Sequence, residues 1–206
     1  GYTMYLIMTA ETHLQDLDGL LAQVRACRLC EAHLPLGPRP VVRARTSSRV
    51  LIIGQAPGTK VHESGIPWND RSGDVLREWL NVDKDIFYDE ARIAIIPMGF
   101  CYPGVDPRGG DNPPRPECAD AWHSALLERL PNIELTLLVG MYAQARYLAK
   151  KRKRTLTDTV AAWRDYGSDR LPLPHPSWRN QHWRRKNPWF EDEVVPELRS
   201  RVQALL

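Results

Sequence analysis

The sequence predicts an α/β fold: a single domain of three layers, α/β/α, around a central, mostly parallel four-stranded sheet. Three observations predict it. Four short apolar runs each stop at a glycine or proline turn. Between them lie segments whose apolar residues recur at helical spacing. And 206 residues suffice to bury one full core.

In chain order, residues 11–26 place Leu14, Leu17, Leu20, Leu21 and Val24 on one helical face. The stretch LPLGPRPVVRARTSS is too rich in proline to be regular. RVLIIGQAPG, residues 49–58, is a buried strand delivering a loop. SGDVLREWL, residues 72–80, begins a helix with Ser72 as its expected N-cap. ARIAIIPMGFC, residues 91–101, is the second strand, followed by a long Pro/Gly-rich loop and a helix over 117–130. Residues 133–151 read as strand, Gly140, then helix, and TLTDTVAAWRDY as another helix. RLPLPHP is the last strand and residues 191–206 the C-terminal helix. Strand–helix alternation of this kind makes parallel sheets with right-handed crossovers. Ligands then sit beyond the carboxyl ends of the strands, where GQAPG, PMGFC, VGMYAQ and HPSWRN all fall. The domain is expected over 11–206, with 1–10 an N-terminal extension or expression remnant.

Charge is nearly balanced, 28 basic against 25 acidic residues for a net +3, so composition alone does not announce a nucleic-acid binder. Its distribution says more. Lys150 to Arg154 are five consecutive cations, and residues 178–187 carry four more with no acid. No run approaches the roughly 20 apolar residues of a membrane helix. The opening residues lack the basic region and cleavage site of a signal peptide, so a cytoplasmic protein is expected. Four cysteines in that setting have a role other than disulfide formation.

Cys27 and Cys30 form a CxxC, and Cys101 and Cys118 lie downstream, separated by 16 residues. Together they make one possible tetrathiolate site, which would select zinc or an iron–sulfur cluster. Spacing leaves the two open. Near the C-terminus, Pro174 and Pro176 fix the backbone on both sides of His175, so its imidazole is aimed. Trp178, Arg179, Trp183, Arg184, Arg185 and Lys186 then interleave aromatic faces with positive charge. That mixture suits a phosphate backbone and an unstacked base; a Pro-rich surface loop is the plain alternative.

Taken together, Gly54-Gln55-Ala56-Pro57-Gly58, Gly65-Ile66-Pro67-Trp68, Ser72-Gly73, the four cysteines and His175-Pro176-Ser177 resemble the uracil-DNA glycosylase superfamily. The pattern is most similar to its iron–sulfur members, the family 4 enzymes, from about residue 20 to the end. The resemblance implies a hydrolase that cleaves the N-glycosidic bond of a damaged or deaminated base, uracil first, in base-excision repair. It implies a four-iron four-sulfur cluster on Cys27, Cys30, Cys101 and Cys118 rather than zinc. It implies that the base is flipped out of the stack into a pocket. There Trp68 would stack on it, with Ala56, Pro57, Asn69 and Met98 around it, while His175 would donate a hydrogen bond to its oxygen. Ser177, Arg179 and Asn180 would grip phosphates and Trp178 would wedge into the gap. The expected partner is DNA with a modified base, bound by a monomer without membrane or nucleotide cofactor.

Two departures from the family pattern stand out. The glutamate of the family's GEAPG is Gln55, which can orient a water but cannot take its proton; Glu63 and Asp70 are the candidate bases, with His62 nearby. The family's asparagine before the third cysteine, which reads the uracil edge, is absent from Ile95-Ile96-Pro97-Met98-Gly99-Phe100-Cys101. Asn69 is the expected substitute. A DNA-binding protein that has lost catalysis, or a glycosylase for another base, is the alternative these departures raise.

Overall fold

The computed structural model describes residues 15–206. The segment 1–10 and Leu14 lie outside the described residues. Helix α1, Leu17–Arg25, starts at Asp16, whose carboxylate accepts the Gly19 N–H at 2.9 Å. Four strands follow in the order β1 Val50–Ile53, β2 Ile93–Ile95, β3 Leu135–Val139 and β4 Arg170–Leu173. All pair parallel, in the spatial order β2-β1-β3-β4.

Side-chain alternation builds the three layers. Val50, Ile52, Ile93, Ile95, Leu135, Leu137, Leu171 and Leu173 pack to one side. There they meet helix α3, Arg71–Leu80, and the C-terminal helix α9, Val195–Leu205. Leu51, Ile53, Ala94 and Leu138 face the other side. That side is covered by α1, α5, Pro116–Glu128, and α6, Met141–Leu148. A sheet covered on both faces needs strands without a polar alternation, which is why these runs read as continuous apolar stretches. Pro172 is accommodated because β4 is an edge strand paired only with β3.

Several elements differ from the sequence expectation. The chain turns into a short helix, α2, Thr59–Ser64, directly after GQAPG, and another, α4, Lys84–Phe87, precedes β2. The cap of α3 is Asp70, not Ser72: its Oδ1 accepts the Gly73 N–H at 2.8 Å, and Ser72 lies inside the first turn. The helix expected over 155–166 is α7, Leu156–Ala161, followed by a 3-10 turn. After α8, Gln181–Lys186, the C-terminal helix enters through a π-turn at Phe190–Val194. Pro196 sits in the first turn of α9, where its missing N–H costs no helical bond.

Candidate active site

The chain leaves β1 for β2 on one side and returns to β3 on the other, so the order reverses between β1 and β3. Crevices outside such a switch point are where α/β sheets bind ligands. Here a cavity of about 140 Å³ opens there, walled by the Gly54–Gly58 loop, Trp68 and His175. The loops after β1, β2 and β4 contribute to it, through Gln55, Pro97 and His175. The loop after β3 does not. Gln144 of the following helix α6 instead donates through Nε2 to the carbonyls of Leu138 and Leu173, at 3.1 and 2.9 Å, and so ties β3 to the end of β4.

Trp68 occupies the left-handed backbone region at φ 59°, a conformation that costs a large side chain about 1–3 kcal/mol. Its surroundings hold it there. Buried Arg77 donates through Nη1 to the Trp68 carbonyl at 3.1 Å, and the Tyr88 hydroxyl donates to the Pro67 carbonyl at 2.8 Å. Arg77 is itself fixed by Asp74 at 2.9 Å and by the Phe87 ring, 5.0 Å away. The indole lies over Gly54, where a Cβ would sit 2.8 Å from Cζ2. Two glycines of the motif, Gly54 and Gly73, are therefore consequences of where Trp68 must be.

His175 stands across from it, ring centroids 5.8 Å apart and planes tilted by 35°. The Ser177 N–H donates to His175 Nδ1 at 3.2 Å, and Asn180 Nδ2 donates to the His175 carbonyl at 2.7 Å. Because Nδ1 accepts, the ring proton belongs on Nε2. Burial lowers the imidazole pKa, and the negative charge of Asp70 only partly opposes this. The ring is therefore a neutral donor at neutral pH.

The carboxylates are distributed differently from the expectation. Glu63 is exposed and lies outside the pocket wall, where its backbone carbonyl and that of His62 cap α2 onto Arg39. His62 sits beside Tyr102, also outside the wall. Asp70 does line the pocket while capping α3. So does Asp111, which sequence reasoning missed. The residue as a whole is exposed, yet partial burial of its carboxyl raises the pKa against the lowering pull of Arg179. The only signal for it was a turn-forming GGD in a loop.

The base-facing set also differs. Ala56, Pro57 and Trp68 line the pocket. Asn69 is exposed, and Met98 packs against the core. Neither lines the cavity. Met98 and Gly99 contribute through their backbones, donating to the carbonyls of Gly54 and Gln55 at 2.9 Å each. Pro97 lines the cavity in their place.

On the pocket rim, Trp178 is 65 % exposed and Arg179 lies over the Gly109–Gly110 turn. Ser177 and Asn180 are engaged in forming the turn, with Ser177 Oγ accepting the Arg179 N–H at 3.2 Å.

Cys27, Cys30, Cys101 and Cys118 line a single separate cavity, and beside it the Cys30 thiol donates to the Glu117 carboxylate at 3.8 Å. Leu29, Leu34 and Phe100 make it apolar, and Arg115 supplies one positive charge. Burial pushes the Cys101 thiol up to about 11 and raises that of Cys118 further, so these thiols stay protonated unless a metal displaces the proton. Two N–H donors already address the sulfurs: Phe100 N–H to Cys118 and Trp122 Nε1–H to Cys27, both at 3.3 Å. Among the described residues no three cysteine, histidine or carboxylate side chains close on a single ion. The donor set is all soft sulfur around a cavity, which fits a thiolate-held cluster.

Among the described residues no helix is long and apolar enough to cross a membrane. A family model, described as the uracil DNA glycosylase superfamily, matches residues 42–199.

Proposed function

Because the chain belongs to the uracil DNA glycosylase superfamily, we propose that it is a monofunctional DNA glycosylase acting in base-excision repair, with uracil as the first candidate base. The observation that carries this reading is the pairing of Trp68 and His175 over the GQAPG loop in one cavity.

The extruded base stacks on the Trp68 indole, and its edge meets His175 Nε2–H. As the bond from the base nitrogen to C1′ breaks, its electron pair leaves on the base and positive charge develops on the sugar. A fixed neutral donor at the base oxygen stabilises that departing charge. Water adds its oxygen to C1′. One of its protons stays on the new hydroxyl, and the other returns to the base through a carboxylate or solvent. Gln55 orients the water. Asp111 and Asp70, both in the pocket wall, replace the carboxylate that GEAPG would have supplied. Burial raises the Asp111 pKa, which suits it to act as the base. Trp178 wedges into the vacated stack and Arg179 takes a phosphate.

Cys27, Cys30, Cys101 and Cys118 would hold a four-iron four-sulfur cluster. Such a cluster would supply structure, pinning the Cys27–Cys30 segment and the 102–115 loop onto the domain.

The test is a screen of single- and double-stranded oligonucleotides, each with one modified base. Release of free base, leaving an alkali-labile abasic site, is expected. His175→Ala should abolish release while DNA affinity persists. Gln55 and Pro97 favour one second reading, a damage-binding protein without turnover. It would stand if the wild-type protein bound such DNA and released no base from any of it.

A further inference from the structure

Helix α5 carries a buried histidine that the reaction above does not use. His123 is 1 % exposed, and both its ring nitrogens are engaged. Nε2 lies 2.8 Å from the Pro97 carbonyl and Nδ1 lies 2.5 Å from the Tyr147 hydroxyl. We infer that His123 is a positioning residue for the pocket, its Nε2–H holding the Pro97 peptide in place as the wall against which the base is read. This rests on the glycosylase reading of the pocket.

The proton assignment follows by elimination. A carbonyl can only accept, so Nε2 carries a proton. Burial lowers the ring pKa to about 4, so the ring is neutral and has only that one proton. Nδ1 is then bare and accepts the Tyr147 O–H. Phe100 stacks on the ring at 5.8 Å and 22°, and Tyr147 at 6.0 Å and 23°. The imidazole is clamped at both nitrogens and by two aromatic neighbours.

Pro97 needs such a clamp. Pairing with the β1 edge runs through its neighbours, Ile96 to Ile52 and Met98 to Gly54, and Pro97 has no N–H of its own to add. The Pro97–Met98 peptide is thus held at its N–H by Gly54, and His123 holds its carbonyl end. Pro97 therefore lines the pocket with its carbonyl engaged by His123. The family resemblance implies a base-reading amide in this stretch, so the tilt of this one peptide sets which edges are tolerated. The same helix carries Cys118 and Trp122, which address the cysteine cavity. Phe100 joins the two sites, its N–H on Cys118 and its ring on His123.

The experiment compares His123→Phe with His123→Gln in the full chain, both purified with bound iron. Phenylalanine keeps a ring between Phe100 and Tyr147 but frees the Pro97 carbonyl; glutamine can donate to it again. For H123F, the single-turnover rate of base release should fall by about 10- to 100-fold, as misplacement of a reacting group does. Its affinity for abasic DNA should be unchanged, and the ranking of accepted bases should shift. H123Q should recover most of the rate and the wild-type ranking. Wild-type rate and ranking in H123F would overturn the inference. So would equal impairment of both variants with equal loss of thermal stability, which is what packing alone gives. If the wild-type protein releases no base at all, the glycosylase reading fails, and amide hydrogen exchange at Met98 and Gly99 decides the positioning separately. Faster exchange in H123F, reversed in H123Q, supports it; unchanged exchange overturns it.

Discussion

A β-carbon on residue 73 would lie 1.7 Å from the carbonyl oxygen of Trp68. That overlap is with backbone, so no side-chain rotation relieves it, and the Trp68 carbonyl is fixed from its other side by Arg77. The first turn of α3 and the aromatic wall of the pocket thus share one close approach. Gly73→Ala should lower stability by about 3 kcal/mol or more, the upper end of overpacking costs. Thermal unfolding would show it, and base release should vanish in whatever fraction stays folded. Retention of wild-type melting and turnover would mean that Trp68 does not sit where described.

Asp70 and Asp111 both face the cavity, but only Asp70 also caps a helix. Asparagine is as good an N-cap as aspartate, so Asp70→Asn should leave stability nearly unchanged. If Asp111 is the base, Asp111→Asn should reduce single-turnover rate by about 100-fold, the lower end for general-base catalysis, and Asp70→Asn by less. The reverse ranking would transfer the role to Asp70.

Trp178 and Arg179 are exposed at the rim and should act on DNA rather than on the fold. Arg179→Ala should weaken binding uniformly across sequences and reduce the salt slope by about 0.9, the loss of one phosphate contact. Trp178→Ala should slow base release from duplex more than from single strands, which need no wedge.

The cysteine cavity predicts a coloured protein. Purified under anaerobic conditions it should be yellow-brown and contain iron. Cys101→Ser should bleach it and loosen the 102–115 loop to proteolysis. A colourless protein with stoichiometric zinc would replace the cluster with a single ion.

Acid should destabilise the protein through its buried histidines. The folded pKa of His123, about 4, lies below the ordinary 6.5, so the unfolded chain takes up the proton first as pH falls. Its contribution is fully present above pH 6.5 and is lost progressively down to about pH 4, in total roughly 3 kcal/mol. The lowered pKa of His175 acts in the same direction. Around His123, Arg146 reinforces the shift, Asp120 opposes it, and Tyr147 is a neutral hydrogen-bond donor. Urea midpoints between pH 4 and 7 should fall with acid, less steeply in H123Q.

Much of the site was legible because local chemistry marks it. Prolines around His175 and glycines in GQAPG and near Trp68 are residues chosen for backbone shape, and such choices survive in one dimension. What misled was proximity in sequence. Glu63 and Asn69 are close in sequence to Asp70 and Trp68, yet both are exposed outside the pocket wall, because helix α2 and the left-handed turn at Trp68 direct them outward. Ser72 looked like a cap, but the helix starts two residues earlier.

The sequence by itself determined the alternation of buried strands and helices, and with it a parallel sheet whose loops meet at one edge. It determined the chemistry available there: an aimed imidazole, a large aromatic ring and four thiols. Only the tertiary structure decided which carboxylate reaches the pocket and what holds its floor. Asp111 lies in a Pro/Gly-rich loop, and His123 lies on a helix more than twenty residues from the Pro97 carbonyl it binds. The physical reason is that hydrogen bonds and Coulomb forces act over a few ångströms of space, and chain order carries no measure of that distance until the sheet has brought the loops together.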